Sequence, residues 1–301
     1  MANLYANKSS NIRKTIVLMA TFFGLLIGLG YAFSIYFGSP NILYIAVAIS
    51  VIMNFTAYWW SASIALSMSG ARAVTREQAT ELYRVVENLC ITAGLPLPRI
   101  YIMDAPQINA FATGRNPEHA AIAVTTGALQ KLENEELEGV IAHELSHIGN
   151  RDILISSVVV VLAGIIAIAA DIGMRATLFG GRRRSNDNGG GGQLGLIIAI
   201  IAMIIAPIAA TIIRLAVSRQ REYLADTSGA LLSRYPDGLA NALEKIRQDH
   251  TAMPHTHAAT AHLFIGSPLN EDDSDKPSFF AKLFMTHPPL SDRIKRLRGS
   301  A

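Results

Sequence analysis

The stretch His143-Glu144-Leu145-Ser146-His147 has two histidines four positions apart and a glutamate directly after the first. On an α-helix, side chains four positions apart lie on the same face, so both imidazoles can bind one metal ion, most naturally zinc. The carboxylate of Glu144 then lies beside the water that the metal activates, where it can act as a general base. Carried on a helix, this H-E-x-x-H pattern is typical of the metal site of a peptidase.

The residues around this stretch predict one amphipathic helix over residues 129–149. Asn134 can cap its first turn, and Glu135 and Glu136 lie where the helix dipole favours negative charge. The alternative is a solvated helix that carries histidine and glutamate at this spacing by chance. The capped, amphipathic context favours the metal site.

Two histidines need a third protein ligand, and a catalytic zinc keeps one further position open for water. The candidate is Glu222, which lies four positions before Asp226, so that a helix puts both carboxylates on one face. Asp226 would accept a hydrogen bond from the second ring nitrogen of a ligand histidine and fix its tautomer. The alternative is an exposed acidic face that pairs with Arg219 and Arg221. Glu244 is the second candidate for the third ligand.

Half of the residues are hydrophobic, 16% are charged, and the mean hydropathy is +0.31. No Asp, Glu, Lys or Arg occurs in residues 15–71. Residues 15–37 and 42–65 are each long enough to cross the ~30 Å hydrocarbon core, and residues 153–170 and 194–213 are two further apolar segments. We therefore predict four apolar membrane segments. A buried pair of helices in a soluble protein is the alternative for the first two.

Basic residues flank the first hairpin at both ends, with Lys14 before it and Arg72 after it. The positive-inside rule therefore predicts that both ends are cytoplasmic. The basic loop Arg182-Arg183-Arg184 lies between the third and fourth segments and contradicts this rule if both of them span. Either the earlier spans override the rule or this pair lies shallowly at the interface, and the sequence leaves both possibilities open.

The predicted fold is a mostly α-helical membrane protein, in which four apolar membrane segments accompany a cytoplasmic α+β metallopeptidase domain of the zincin type with a small β-sheet. The second hairpin would bring Glu222 beside the two histidines at the cytoplasmic membrane surface. We expect four parts: a transmembrane hairpin (1–71), a first catalytic part with the sheet and the metal helix (72–152), a second membrane hairpin with a flexible loop at 175–193 (153–213), and a second catalytic part (214–301).

Three strand-like runs, at residues 99–104, 109–113 and 120–125, predict a small sheet that comes just before the metal helix. An edge strand at this place could bind an extended peptide by backbone pairing, which predicts substrate contacts for Asn109, Ala110, Phe111 and Ala112. Plain structural pairing within the sheet is the alternative.

Other features limit the partners of the chain. Cys90 is the one cysteine, so an internal disulfide is excluded. The net charge of +3 comes from basic residues that cluster at membrane ends, and no nucleic-acid-binding motif occurs. A second metal cluster among the histidines of residues 250–262 is disfavoured by Pro254 and by irregular spacing.

Several motifs together resemble the HtpX family of membrane-bound zinc metallopeptidases, which are gluzincins and distant relatives of the CAAX prenyl protease. They are HELSH, REYLAD at 221–226, INAFATG at 108–114 and THPPLSDRIKRL at 286–297, and the resemblance covers roughly residues 15–297. It implies one zinc ion per chain on His143, His147 and Glu222, with Glu144 as the catalytic base. It also implies endoproteolysis of misfolded or damaged membrane proteins, often under stress.

The partners implied by this resemblance are protein or peptide substrates and the lipid bilayer, and the location is a bacterial-type plasma (inner) membrane with the catalytic domain facing the cytoplasm. His287 matches a histidine thought to steady the transition state in the prenyl-protease relative. It is therefore a candidate donor to the oxyanion. The alternative is a histidine that simply precedes a helix, with Pro288 or Pro289 in the first turn.

Two other functions remain as alternatives. An intramembrane protease is disfavoured because Glu133, Glu135, Glu136 and Glu138 are too many charges for a membrane span. A catalytically silent, zinc-stabilised membrane scaffold or chaperone is disfavoured by the intact Glu144. The sequence does not determine the physiological substrates, the cleavage preference, the oligomeric state or any autolysis.

Overall fold

The structure is a computed structural model that describes residues 2–164, 219–254, 257, 259–268 and 288–299. Most of the predicted second hairpin, residues 165–213 with the basic loop, lies outside these residues. His287 also lies outside them.

Two apolar helices open the chain, α1 (Ala2–Phe37) and α2 (Asn41–Trp59). Ser9–Phe37 and Asn41–Trp59 are each long and apolar enough to cross a membrane. Gly38 turns the chain between them with φ of 61°. The helices pack closely, since a Cβ on Gly30 would lie 2.2 Å from the Cβ of Ala46. The predicted hairpin is therefore present as two candidate membrane spans.

The second span is shorter than the predicted residues 42–65. Trp60 leaves the helical conformation, with φ of −116° and ψ of 3°, and a separate helix α3 (Ser61–Met68) follows. The break lets α3 turn Ala65 and Leu66 against the sheet, where both are buried with Phe111 and Ala121. The last residues of the predicted second span thus pack against the sheet and are not part of the membrane helix.

A four-stranded sheet lies next, with the order β1-β2-β4-β3. Its strands are β1 (Ala71–Ala73), β2 (Arg99–Met103), β3 (Ala110–Gly114) and β4 (Ala120–Thr125). β2 and β4 are parallel and the other two pairs are antiparallel. The three predicted strands are present, β1 was not predicted, and β3 is an edge strand.

Further helices cover the face of this sheet opposite α3, which carries Ile100 and Ile122. Before the metal helix come α4 (Thr80–Ala93) and α5 (Thr126–Lys131). Cys90 is buried in α4, and burial raises the pKa of its thiol to about 11. The remaining described helices are α6 (Asn134–Gly149), α7 (Asp152–Gly164), α8 (Arg219–Ser233), α9 (Pro236–Gln248) and α10 (Leu290–Arg298).

The predicted single helix over residues 129–149 is wrong at its start. Residues 129–131 belong to α5, and Glu133, not Asn134, occupies the N-cap position of α6. The backbone N–H of Glu133 donates to Glu136 Oε2 at 2.8 Å, and Lys245 Nζ donates to the same oxygen at 2.7 Å. The side chain of Glu136 therefore caps the first turn of α6 and also joins this helix to α9.

α6 is the central helix of the α+β core. Val140, Ile141, Leu145 and Ile148 are each at most 1% exposed. At Gly139 the helix lies so close to α9 that a Cβ would be 2.5 Å from the backbone N of Leu239. A backbone neighbour cannot move aside as a flexible side chain can, so only glycine fits there.

Gly139→Ala should therefore destabilise the protein by about 1–3 kcal/mol, the usual cost of overpacking. Gly149→Ala in the same helix is the matched control, because its Cβ would meet nothing closer than Leu95 Cδ1 at 3.8 Å. The control should be neutral or slightly stabilising, since alanine favours helices. The measurement is the free energy of unfolding of both variants in detergent. Equal stability of the two variants would contradict the argument.

Candidate metal centre

The three predicted ligands lie together. His143 Nε2 and His147 Nε2 are 3.2 Å apart, and the Glu222 carboxylate oxygens lie 3.8 Å from His143 Nε2 and 3.7 Å from His147 Nε2. One ligand atom from each residue lies within 4.8 Å of the others. His143 and Glu222 are buried, and His147 is partly buried. This cluster is able to hold a metal ion.

The approach of α8 to α6 positions the third member of the cluster. Glu222, Asp226 and Gly229 follow each other at helical spacing and face α6. A Cβ on Gly229 would lie 2.9 Å from the backbone N of His143. The glycine therefore lets the two helix backbones come close at the first histidine, which brings both carboxylates of α8 within reach of the imidazoles.

The donor set fits zinc. Two nitrogen ligands at ~2.0–2.1 Å from a tetrahedral ion lie about 3.3 Å apart, which agrees with the 3.2 Å between the two Nε2 atoms. Burial lowers the pKa of His147, but the hydrogen bond with Asp152 and the charges of Glu222, Asp152 and Glu144 outweigh it and raise the pKa to about 9. The carboxylates thus favour a positive charge at this place, which a proton or a metal ion can supply.

Asp226 lies behind the first histidine. Its Oδ1 is 3.0 Å from His143 Nδ1, so the imidazole can keep Nε2 for a metal. Arg293 of α10, which is fully buried, donates from Nε and Nη2 to the two carboxylate oxygens at 2.9 and 2.7 Å. Burial raises the pKa of Asp226, but the charge of Arg293 and the hydrogen bonds from His143 and Arg293 outweigh it and lower the pKa to about 2.

A second carboxylate lies behind the second histidine. Asp152, the first residue of α7, has its Oδ2 3.1 Å from His147 Nδ1. Each histidine therefore has its own buried aspartate.

Neither Asp152 nor Arg293 was predicted from the sequence. The available signal for Arg293 was a charged residue on the apolar stripe of α10 that Leu290, Ile294 and Leu297 form. For Asp152 the signal was an acidic residue directly before an apolar segment.

Glu144 lies beside the ligand cluster and is 2% exposed. Burial raises its pKa, the two histidines lower it, Glu222 raises it, and a hydrogen bond from the backbone of Ala112 lowers it. The net direction is upward, which makes the carboxylate a stronger base than an exposed glutamate.

The four residues of the predicted substrate strand occupy different places. Ala112 lines the small cavity beside the ligand cluster. Phe111 is fully buried against Phe264 in an edge-to-face contact of 5.0 Å. The Asn109 side chain donates to Gly266 O at 2.9 Å and accepts from Gly266 N at 3.2 Å, and the carbonyl of Ala110 accepts from Ile265 N at 3.1 Å.

The other candidate ligands are not part of the ligand cluster, although His262 lines the cavity beside it. Glu244 is hydrogen-bonded to Arg247 on the surface of α9. His262 is buried, and its Nε2 lies 3.1 Å from the carbonyl of Ser156. Within the described part of the chain, His143, His147 and Glu222 form the group of ligand residues that could hold a metal.

A buried His-His-Glu cluster with a buried glutamate beside it, on an α+β core that follows two candidate membrane spans, defines a membrane metallopeptidase. The sequence pattern described as Peptidase family M48 matches residues 76–301. The chain belongs to peptidase family M48.

Relatives with the name Protease HtpX homolog are similar over almost the whole chain. The one from Thermoanaerobacter pseudethanolicus is 47% identical, covering 98% of this chain and 97% of its own length. The one from Pyrococcus furiosus is 47% identical, covering 96% and 95%. The crystal structure of S. mikatae Ste24p has a TM-score of 0.50 at 16% identity and covers 99% of this chain and 67% of its own, which shows a shared fold. The predicted family and the prediction of a metalloprotease are confirmed.

Replacing Arg293 by methionine should leave the buried Asp226 carboxylate without its cation. We expect a loss of about 3–5 kcal/mol in the free energy of unfolding of the metal-free protein, the usual result of breaking a buried ion pair. The Asp226→Asn/Arg293→Met double variant should recover part of this loss, because it removes both charges. Arg298→Met, on the exposed side of the same helix, is the control. A loss as large in the control as in Arg293→Met would contradict the assignment.

Proposed function

We propose that this chain is a zinc-dependent endopeptidase that cleaves misfolded or damaged membrane proteins. The observation that carries the proposal is the position of Glu144, a buried base of raised pKa beside the cluster of His143, His147 and Glu222. A structural metal site has no use for a buried base at this place. The intact base therefore favours hydrolysis over a silent scaffold.

The ligands in this proposal are Nε2 of His143, Nε2 of His147 and the carboxylate of Glu222. Zinc, when bound, supplies a Lewis acid that polarises the scissile carbonyl and lowers the pKa of a water to ~7. Asp152 accepts the Nδ1 proton of His147, and Asp226 Oδ1 lies 3.0 Å from His143 Nδ1, which leaves Nε2 of both rings for the metal.

Glu144 takes the proton of the attacking water and passes it to the leaving amine. His287 donates to the developing oxyanion, the role that the family resemblance implies. Arg293 is held by Asp226 with Nη1 3.9 Å from Glu222 Oε2, so its charge also balances the third ligand.

An extended peptide would bind along the outer edge of β3, at Asn109, Ala110, Phe111 and Ala112. Ala112 is the member nearest the cluster, since it lines the cavity and its backbone N–H bonds Glu144. The peptide would have to replace Ile265, whose N–H now occupies the Ala110 carbonyl. The substrate would then make the same kind of backbone bond.

The enzyme in this proposal is integral to a bacterial-type inner membrane with four apolar segments, and its catalytic domain faces the cytoplasm. The exposed apolar side chains of α1 and α2, among them Ile35 at 64%, Tyr44 at 69% and Ile52 at 63%, are suited to contact with lipid.

Glu144→Gln should keep zinc and lose cleavage, because the amide cannot accept the proton and the residue is not a ligand. Glu222→Ala should lose both zinc and cleavage. The measurements are zinc content at low free metal and cleavage of casein or of a membrane-protein substrate. Glu135→Gln, on the exposed first turn of α6, is the control and should keep both. Cleavage by Glu144→Gln at more than about a hundredth of the wild-type rate would contradict the role of Glu144 as general base, since such a base raises the rate ~10²–10⁴-fold.

The same assays separate the roles of His287. His287→Ala should keep zinc and lower kcat by ~10²–10³, the usual effect of losing one oxyanion donor. An unchanged kcat would make the residue structural, and loss of zinc would make it a ligand. A wild-type enzyme that holds zinc and cleaves no more than Glu144→Gln would favour the silent scaffold or chaperone.

The proposed orientation predicts which cysteines an impermeant reagent can label from outside the cell. A cysteine placed at Ser39, in the turn between α1 and α2, should be labelled, whereas one placed at Lys131 should be protected. The buried native Cys90 gives a low background. Labelling of the cysteine at position 131 in intact cells would contradict the proposed orientation.

A further inference from the structure

Asn11 is a buried polar residue in the first membrane helix, and only 3% of it is exposed. An amide side chain in such a place costs free energy unless its N–H groups are hydrogen-bonded. Its partners lie in the catalytic part of the chain, far away in sequence.

The Asn11 amide donates two hydrogen bonds from Nδ2. One goes to Asp152 Oδ1 at 2.5 Å and the other goes to the carbonyl of Asn150 at 3.1 Å. These acceptors lie on either side of Arg151, in the turn that joins α6 to α7. Asn11 is therefore bonded to the residue before Arg151 and to the residue after it.

This turn has an unfavourable backbone. Arg151 has φ of 58°, a left-handed conformation that costs a non-glycine residue of the order of 1 kcal/mol. The turn bends the chain by 85° between α6 and α7. The bend places Asp152 beside His147, with its Oδ2 3.1 Å from Nδ1. A strained conformation of this kind persists only when surrounding contacts hold it, and Asn11 provides two.

The two aspartates behind the histidines are fixed in different ways. Asp226 is held by both nitrogens of a buried arginine from α10. Asp152 receives its short hydrogen bond from Asn11 in α1, and Arg221 Nη1 lies 3.7 Å from the same carboxylate oxygen. The second histidine is therefore oriented through a contact with the membrane helix.

The geometry points to Asn11 as a positioning residue of the metal centre. It orients Asp152 and, through Asp152, the imidazole of His147. This inference rests on the proposed zinc ligation by His147. It makes the first membrane helix a component of the metal centre in addition to an anchor.

The test measures zinc affinity of the full-length protein in detergent by competition with a chelator. Asn11→Leu and Asn11→Ala should each weaken zinc binding, with the ~10–100-fold loss expected for removing the partner of a ligand, here Asp152, as the upper limit. Thr15→Val is the matched control, because Thr15 is similarly buried one turn further along α1 and, among the described residues, its hydroxyl bonds to the Asn11 carbonyl of the same helix. It should keep wild-type affinity.

Thermal unfolding of the same variants separates positioning from packing. A purely structural role would lower Tm in the Asn11 variants and leave the zinc affinity of the folded protein unchanged. Wild-type affinity in both Asn11 variants, or an equal loss in Thr15→Val, would overturn the inference.

A second substitution tests the turn itself. Glycine adopts positive φ without strain, so Arg151→Gly should stabilise the same turn in the absence of Asn11. The Asn11→Leu/Arg151→Gly double variant should therefore recover part of the lost zinc affinity. A double variant as weak as Asn11→Leu would overturn the assignment of Asn11 to the turn.

His147→Ala distinguishes failure of this inference from failure of the proposed function. Full zinc occupancy in His147→Ala would overturn the proposed ligand set and this inference with it. Loss of zinc in His147→Ala, together with unchanged affinity in Asn11→Leu, would overturn only the role of Asn11.

Discussion

The close approach of α8 to α6 at Gly229 is the contact on which the metal centre depends. The two helices can approach because Gly229 has no side chain to meet the backbone of His143. The approach places Glu222 and Asp226, which are far from the histidines in sequence, beside the imidazoles. The same approach removes both carboxylates from water. Burial of a charge costs several kcal/mol unless a partner compensates, so the rest of the site follows from this contact.

The groups that compensate for the buried carboxylates come from several helices. Arg293 from α10 neutralises Asp226 and reaches towards Glu222, while Asp152 from α7 pairs with His147. Glu144 adds a further buried carboxylate beside the same histidines. Acidic groups thus accumulate around Nε2 of His143 and His147, and this excess explains why the centre favours a bound cation. The arrangement gives up some stability of the folded chain to create that preference.

The parts of the site that depend only on residues close together in sequence could be predicted from the sequence. The repeats of four in His143–His147 and Glu222–Asp226 identify shared helix faces, and three strand-like runs predicted β2, β3 and β4. The start of α6 rests on a local contact, the backbone N–H of Glu133 bonding Glu136, whereas the bond from Lys245 of α9 to the same side chain depends on the tertiary fold and was not predictable. The partners of Asp226 and Asp152 were not predictable either, since Arg293 and Asn11 reach them through the tertiary fold.

Cys90 has a chemical consequence of its own. With its thiol pKa raised to about 11 by burial, only about one thiol in ten thousand is ionised at pH 7, and the thiolate is the form that reacts. Peroxide and disulfide exchange therefore have little to act upon in the folded chain.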